Sequence, residues 1–494
     1  MSSGGKDAVV LGVDIGTTAT KVVAGTRGGA VHHQTERGYR MRTDDSGEAV
    51  QDAAEVRGAA VEALAECAGW AGDNGHPVEA ISFSSAMHTL VGLDSAGEPV
   101  TPAFNWADSR ATEVAERLRA DRATSDALHR ATGTPVHTQS VMVKLAWLTG
   151  ERPDLAGGAV RWCSLKDHVV AALVDGFVTD HSMASGTGLQ EMAGLRWHEP
   201  ALDVAGVRQD QLPELAAPTS TLPLAAGPAR SVGLPEGLPV VLGGGDGPLA
   251  NLGVGAVSPG VAALSLGTSG ALRVLRERPG VDERCRTFCY ALADDLWVVG
   301  GAVSNGGVVG QWAAEAFGVE VGALLDEAWQ VPAGAEGLVA LPYLLGERAP
   351  WWEPGLTGAL VGLRRSHGRA EMTRAVVEGV GQQLALVRDA VLEAGAEVRA
   401  VRATGGGFRS QLWSEVIAAS LGAELELAEG SGGSGLGAVL LGWRALGELG
   451  SLEQAAAVLR PERTVAPDPG AARLMAQRRP AVQQLHEALV GLGF

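Results

Sequence analysis

The chain has 494 residues, more than one ordinary domain holds, and its 46% hydrophobic and 19% charged residues suit a folded protein with large cores rather than a disordered one. Its 39 Lys and Arg against 57 Asp and Glu give a formal net charge of -18, which disfavours non-specific binding to nucleic acid or an anionic membrane but leaves room for a locally basic pocket. Residues 1–10 carry no charged-then-apolar signal pattern and no apolar run approaches the roughly 18 residues of a membrane span, so a cytoplasmic location is expected. Cys67, Cys163, Cys285 and Cys289 form no CxxC pair and read as inert thiols.

Strand-like runs at residues 9–15, 80–83, 239–242, 261–266 and 398–404 each lead into a Gly- or Ser-rich loop, and helical periodicity marks 53–68, 374–393 and 410–421. Such alternation predicts α/β layers. Near the start of each half stands a similar segment. Leu11-Gly12-Val13-Asp14-Ile15-Gly16-Thr17-Thr18 precedes Lys21-Val22-Val23, and Ala263-Leu264-Ser265-Leu266-Gly267-Thr268-Ser269 precedes Leu272-Arg273-Val274. Both read as a β-hairpin whose turn carries small hydroxyl residues. The echo predicts two related domains, 1–250 and 251–494.

Backbone amides and hydroxyls in the turns Gly16-Thr17-Thr18 and Gly267-Thr268-Ser269 are donors suited to phosphate oxygens, and two such turns facing each other could grip the phosphates of ATP. Asp14 in the first copy stands where the second has Ser265. A carboxylate beside phosphates is repulsive unless a cation lies between them, so Asp14 is the candidate for a Mg²⁺ shell. Val240-Val241-Leu242-Gly243-Gly244-Gly245-Asp246-Gly247 reads as a strand ending in glycines and one carboxylate. It could place Asp246 in a cleft as an acceptor for a hydroxyl proton.

The paired hairpins resemble those of the actin, hexokinase and heat-shock ATPase superfamily, and over nearly its whole length the chain resembles the FGGY carbohydrate kinases. Gly346-Glu347-Arg348-Ala349-Pro350-Trp351-Trp352, continuing to Gly358 and Gly362-Leu363, is similar to that family's second-domain signature. Lys144-Leu145-Ala146-Trp147-Leu148 is similar to its first, although Val141 stands where Pro, Ser or Thr is usual. The resemblance implies two ribonuclease-H-like α/β domains with a cleft between them, ATP and Mg²⁺ as cofactors, and Asp246 as general base. It implies an adenosine end at Gly405, Gly406 and Gly407, with Gly307 and Gln311 near the phosphates and ribose. It implies a sugar end at Met87, His88, Asn105, Trp106, Asp108 and Arg110.

Ser84-Ser85-Ala86-Met87-His88, the run from Asn105 to Arg110, and the run from Arg286 to Leu292 resemble the gluconate-phosphorylating members in particular. The expected reaction is transfer from ATP to the 6-hydroxyl of gluconate. A kinase for xylulose or another small sugar or polyol is the alternative, and a non-enzymatic ATP-binding regulator a more distant one. A carboxylate substrate calls for a cationic donor, and Arg110, Lys144, Arg286 and Arg348 are unranked candidates for it. No nucleic-acid or membrane partner is expected. The sequence does not decide between a monomer and a homodimer.

Overall fold

The computed structural model describes residues 6–428, 433–457 and 459–492; residues 1–5 of the stretch read for a targeting signal lie outside the described residues. Two sheets organise the chain. One has six strands in the order Thr221–Pro223, Pro239–Gly245, Val78–Ser85, Val9–Ile15, Ala19–Gly25, Val31–Gly38. The other has seven, in the order Phe288–Ala291, Trp297–Val303, Gly270–Arg276, Val261–Leu266, Ala400–Thr404, Leu425–Leu427, Arg463–Val465.

In each sheet the first strand in sequence pairs antiparallel with its successor and parallel with a later strand. The successor pairs antiparallel with a third strand. On the other side a further parallel strand follows, and an antiparallel edge strand closes the sheet. The same order and sense therefore occur twice, so the echo between the two hairpins extends to whole sheets. This is the α/β fold with two actin- or hexokinase-like halves that the hairpins predicted.

The strand Val9–Ile15 shows how the layers form. Its alternate side chains point to opposite faces. Val9, Leu11, Val13 and Ile15 pack against Val56, Ala60, Ala63, Leu64 and Cys67 of the helix Ala53–Asp73, whose start is capped by the Asp52 carboxylate accepting from Ala54 N and Glu55 N. Val10 faces the other way, into a core shared with Leu249, Leu264, Leu436 and Val439. That second core lies between the two sheets and is filled by the helices Asp246–Gly253 and Gly433–Ala445. Glycines let these helices touch backbone to backbone. A Cβ at Gly253 would lie 1.9 Å from the carbonyl oxygen of Gly433, and one at Gly437 would lie 2.0 Å from that of Leu249. The late part of the chain thus returns a helix to the first sheet. The far face of the second sheet is covered by Arg369–Glu393 through Val377, Val380, Leu384 and Val387.

Element ends follow the local chemistry. The strand expected at 80–83 runs Val78–Ser85, and the one expected at 398–404 runs Ala400–Thr404. Ser410 occupies the N-cap of Gln411–Leu421 in extended conformation without a side-chain cap bond. All four cysteines are buried and free. Among the described residues no single helix is long and apolar enough to cross a membrane, and no group of three or more His, Cys, Asp or Glu forms a metal cage.

Candidate active site

A cavity of about 420 Å³ opens between the two sheets, with Asp246 and Thr17 contributed by the first half and Ser269, Arg273 and Arg348 by the second. Asp246 is brought there by an irregular strand end. Pro239–Gly245 pairs with Val78–Ser85, and its register shifts between Val241 and Gly244. Gly243 sits at φ 78°, and a Cβ there would lie 1.7 Å from the carbonyl oxygen of Phe83, so only glycine permits this bend. Past the bend, Ser182 Oγ accepts the amide of Gly245 at 3.1 Å, and Asp246 opens the next helix with Oδ1 accepting from Gly247 N at 2.8 Å.

Burial pushes the Asp246 carboxyl up to about 6; the nearby Asp14 charge adds to the rise, and Arg273 with the amides of Gly247 and Met87 opposes it. A carboxylate so poised is ionised at neutral pH yet close enough to it to hold a proton. Arg273 bears on the Asp246 charge through space from the opposite sheet, and is braced by Asn251 Oδ1 at 3.2 Å and Ser265 Oγ at 3.3 Å.

Both predicted phosphate turns have their carbonyls satisfied internally. Tyr39 Oη donates to Gly16 O at 2.7 Å, Gln51 Nε2 to Thr17 O at 2.8 Å, and Tyr39 N to Thr18 O at 3.0 Å. In the second turn Gly307 N donates to Gly267 O at 2.7 Å, and Gly306 N to Thr268 O at 3.0 Å. The amides of Gly16 and Gly267 are spent on Ala19 O and Ser269 O, so the donors of the residues after each glycine are what the turns have left to offer an anion. Thr17 and Ser269 line the cavity.

Gly405, at φ 116°, packs against the end of Val261–Leu266, where a Cβ would lie 2.4 Å from Leu266 O; Gly407 abuts the Leu266 side chain, and Gly406 faces open space. Gly307 packs on Gly267 of the second turn, Gly405 and Gly407 pack on the strand end that leads into it, none of these nor Gly406 lines the cavity, and Gln311 is exposed on the helix Val308–Phe317. Asp14, beside the first turn, accepts from Ser434 Oγ at 2.8 Å through Oδ2, while its Oδ1 is shut off from solvent. Burial raises its carboxyl, and the Ser84 hydroxyl opposes the rise. A carboxylate beside a phosphate turn, with hydroxyls as its side-chain donors and, among the described residues, no cationic side chain bound to it, fits a hydrated divalent cation.

The run read as the sugar end is divided by the structure. Met87, His88 and Trp106 line the cavity. His88 adopts φ 63°, and its Nδ1 donates to Gly186 O at 2.7 Å. Burial, and then the charges of Lys144 and Arg348, push its imidazole down to about 3, so the ring is neutral, with Tyr290 Oη 3.5 Å from Nε2. Trp106 Nε1 donates to Thr17 Oγ1 at 3.1 Å, linking the sugar end to the first turn. Asn105 is buried and donates to Gln51 Oε1 at 3.0 Å, so it braces the residue that holds Thr17. Asp108 and Arg110 face each other instead of the cavity. Arg110 Nη2 lies 2.6 Å from Asp108 and Nη1 2.9 Å from Glu48, while Asp108 Oδ2 accepts the amide of Ala49. Gln139, Arg273, Tyr290 and Ser434 line the cavity without having been singled out. Arg273 is a polar group on the strand that leaves the second turn, which is a signal for it, while Tyr290 lies on Phe288–Ala291 within the run from Arg286 to Leu292.

Residues 9–253 match the FGGY family of carbohydrate kinases, N-terminal domain, and residues 262–446 match the C-terminal domain of the same family. The chain belongs to the FGGY family of carbohydrate kinases. This FGGY kinase is 37% identical over 462 residues to the gluconokinase of Bacillus subtilis, covering 90% of this chain and 89% of that one. It is 28% identical over 452 residues to the xylulose kinase of the same organism, covering 90% of each. Two solved structures from Lactobacillus acidophilus superpose on the FGGY kinase equally well: a gluconate kinase at 30% identity and a ligand-bound xylulose kinase at 31%, each with a TM-score of 0.92 and 98% coverage of both chains. Its activity is that of a carbohydrate kinase, with ATP as phosphoryl donor.

Proposed function

We propose that this kinase transfers the γ-phosphoryl group of ATP to the 6-hydroxyl of D-gluconate. The observation that carries the choice of acceptor is the 37% identity to a gluconokinase over 90% of the chain, against 28% to a xylulose kinase of the same organism. Fold similarity does not separate the two acceptors, because both Lactobacillus structures match equally. Xylulose is therefore the second reading.

In this reading Asp246 takes the proton of the attacking hydroxyl, since its carboxylate lies in the cavity between the two turns. Thr17 and Thr18 from one half and Thr268 and Ser269 from the other offer amides and hydroxyls to the phosphates, and Arg273 sets the charge around Asp246. Gly307, Gln311, Gly405, Gly406 and Gly407 form the nucleotide end around the second turn. Asp14, which has hydroxyl donors and, among the described residues, no cationic partner bound to it, would hold Mg²⁺, which offsets phosphate charge when bound. Met87, His88 and Trp106 contact the sugar; Asn105, Asp108 and Arg110 support that wall from behind. The division of the chain near residue 250 falls within the helix Asp246–Gly253, between the two sheets.

Turnover on a panel of gluconate, xylulose, ribulose and glycerol tests the proposal. Gluconate is expected to lead in kcat/KM by at least about tenfold, the scale set by one buried donor left unpaired by a neutral acceptor. A neutral sugar turned over best would overturn it.

A further inference from the structure

The reading of gluconate as acceptor leaves open which cation receives its carboxylate. On that reading, we infer that Arg348, lying over the Trp106 ring in the cavity wall, is the receptor for the acceptor's carboxylate and so the residue that sets preference for a sugar acid.

Three of the four cations expected for this role are committed elsewhere. Arg110 is paired with Asp108 and Glu48, and Arg286 with Asp282 and Glu393. Lys144 donates to the carbonyls of Gln139 at 2.7 Å and His88 at 3.4 Å, behind the cavity wall. Arg348 differs from all three. It lines the cavity, its Nη2 donates only to the carbonyl of Val303 at 2.9 Å, and its Nε has no acceptor.

The neighbouring Glu347 does not pair with its guanidinium. That carboxylate is spent on the amides of Ser304 and Arg348 at 2.5 and 2.9 Å and on Asn305 Nδ2 at 3.2 Å. Burial also holds the Glu347 carboxyl up at about 7, which weakens it as a counter-charge. Glu347 bears on the guanidinium only through space; a largely enclosed guanidinium with no ion pair in contact is costly, and an incoming anion relieves that cost.

The residues that line the cavity assign the anion. Among the described residues two cations line it, Arg273 and Arg348. Arg273 is the one that acts on Asp246, so it belongs to the reacting end. Arg348 lies against Trp106 and bears on His88, both of the sugar end, while both arginines bear on Tyr290 between them. Its guanidinium carbon sits 5.3 Å from the Trp106 ring centroid, a stacking that holds the planar fork in place for a planar carboxylate. His88 cannot substitute as a cation, because its Nδ1 is engaged with Gly186 and its ring is neutral. A linear sugar acid with its reacting hydroxyl at Asp246 then carries its carboxylate toward Arg348. The nucleotide's phosphoryl group is the other anion that could reach this guanidinium, and the test separates the two.

Arg348→Gln and Arg348→Lys are compared with the unaltered enzyme on gluconate, on glucitol (its neutral alcohol counterpart) and on xylulose, with the KM for ATP measured in each. Arg348→Gln is expected to lower kcat/KM for gluconate by on the order of 10²-fold, mainly through KM, because a remote carboxylate contact is the same in ground and transition states. The loss on the neutral acceptors should be at least about tenfold smaller, and Arg348→Lys should recover part of the gluconate loss. Equal losses on all acceptors with a raised KM for ATP would assign Arg348 to the phosphoryl group and overturn the inference. Equal losses with a lowered melting temperature would assign it to the fold and overturn it likewise. Should the Gln variant not fold, the Lys variant carries the same comparison. If the unaltered enzyme does not prefer gluconate, the acceptor reading fails and the inference with it. If it does and the preference survives in both variants, the inference alone fails.

Discussion

Replacing Asp246 by Asn should destroy activity and stabilise the protein in one step. Asn keeps the size and the oxygen that accepts from Gly247 N, and it removes the charge. The carboxyl of Asp246 is raised from 3.8 to about 6, chiefly by burial, then by Asp14. A rise of about 2 units corresponds to roughly 3 kcal/mol, at about 1.4 kcal/mol per unit. The sign follows from which state binds the proton more tightly. The folded state does, so ionised Asp246 costs nothing below about pH 4, costs more as pH rises from 4 to 6, and costs its full amount above that. Asp246→Asn should therefore match the unaltered protein in stability near pH 4 and exceed it by up to about 3 kcal/mol at pH 7.5. Transfer to sugar should fall by roughly 10²- to 10⁴-fold, the usual scale for loss of a general base. Denaturant unfolding at both pH values and ADP release in a coupled assay give the two readouts. Near-normal turnover, or a stability gap equal at the two pH values, would refute the reasoning.

Arg273→Gln removes the positive charge that holds Asp246 down, so the acid limb of kcat/KM should move upward from about pH 6 by up to about one unit. Titration of a phosphate group, with a pKa near 6 of its own, would give a limb that this substitution leaves in place. Asp14→Asn should raise the Mg²⁺ concentration needed for half-maximal rate by about tenfold or more while calorimetry shows gluconate binding nearly intact; loss of sugar binding in a folded variant would place Asp14 at the sugar end instead.

The fold was legible because its two halves announce themselves in short, regular hairpins. The strands at 9–15 and 261–266 fall where alternation and apolar content place them, and the turns Gly16-Thr17-Thr18 and Gly267-Thr268-Ser269 join the expected antiparallel strands. Asp246 was legible for a related reason. A triple glycine before a carboxylate signals a backbone that must pass close to another, and the contact of Gly243 with Phe83 O is that passage. What local pattern did not disclose was the return of the helix Gly433–Ala445 to the first sheet. Its partners lie some four hundred residues earlier, and Ser434 reaches Asp14 only through that return.

The sugar end shows most clearly where a motif stops being evidence for contact. Asn105-Trp106-Ala107-Asp108-Ser109-Arg110 is a run of polar and aromatic residues, each able to bind a sugar. In three dimensions neighbouring side chains of a loop diverge, and opposite charges two residues apart have each other as the nearest partner. Asp108 and Arg110 therefore meet at 2.6 Å beneath Phe104 and Trp147, Asn105 turns inward to Gln51, and Trp106 alone faces the cavity. The converse holds for Arg348. Its motif places a Glu immediately before it, which on paper promises an ion pair. The backbone amides of Ser304 and Arg348 take up that carboxylate first, and among the described residues the guanidinium is left without an ion pair in contact. Charge in a sequence is thus a poor guide to charge available to a ligand. In this cavity a cation without an ion pair, Arg348, was hidden by its neighbour's carboxylate, while the conspicuous one at Arg110 was already spent.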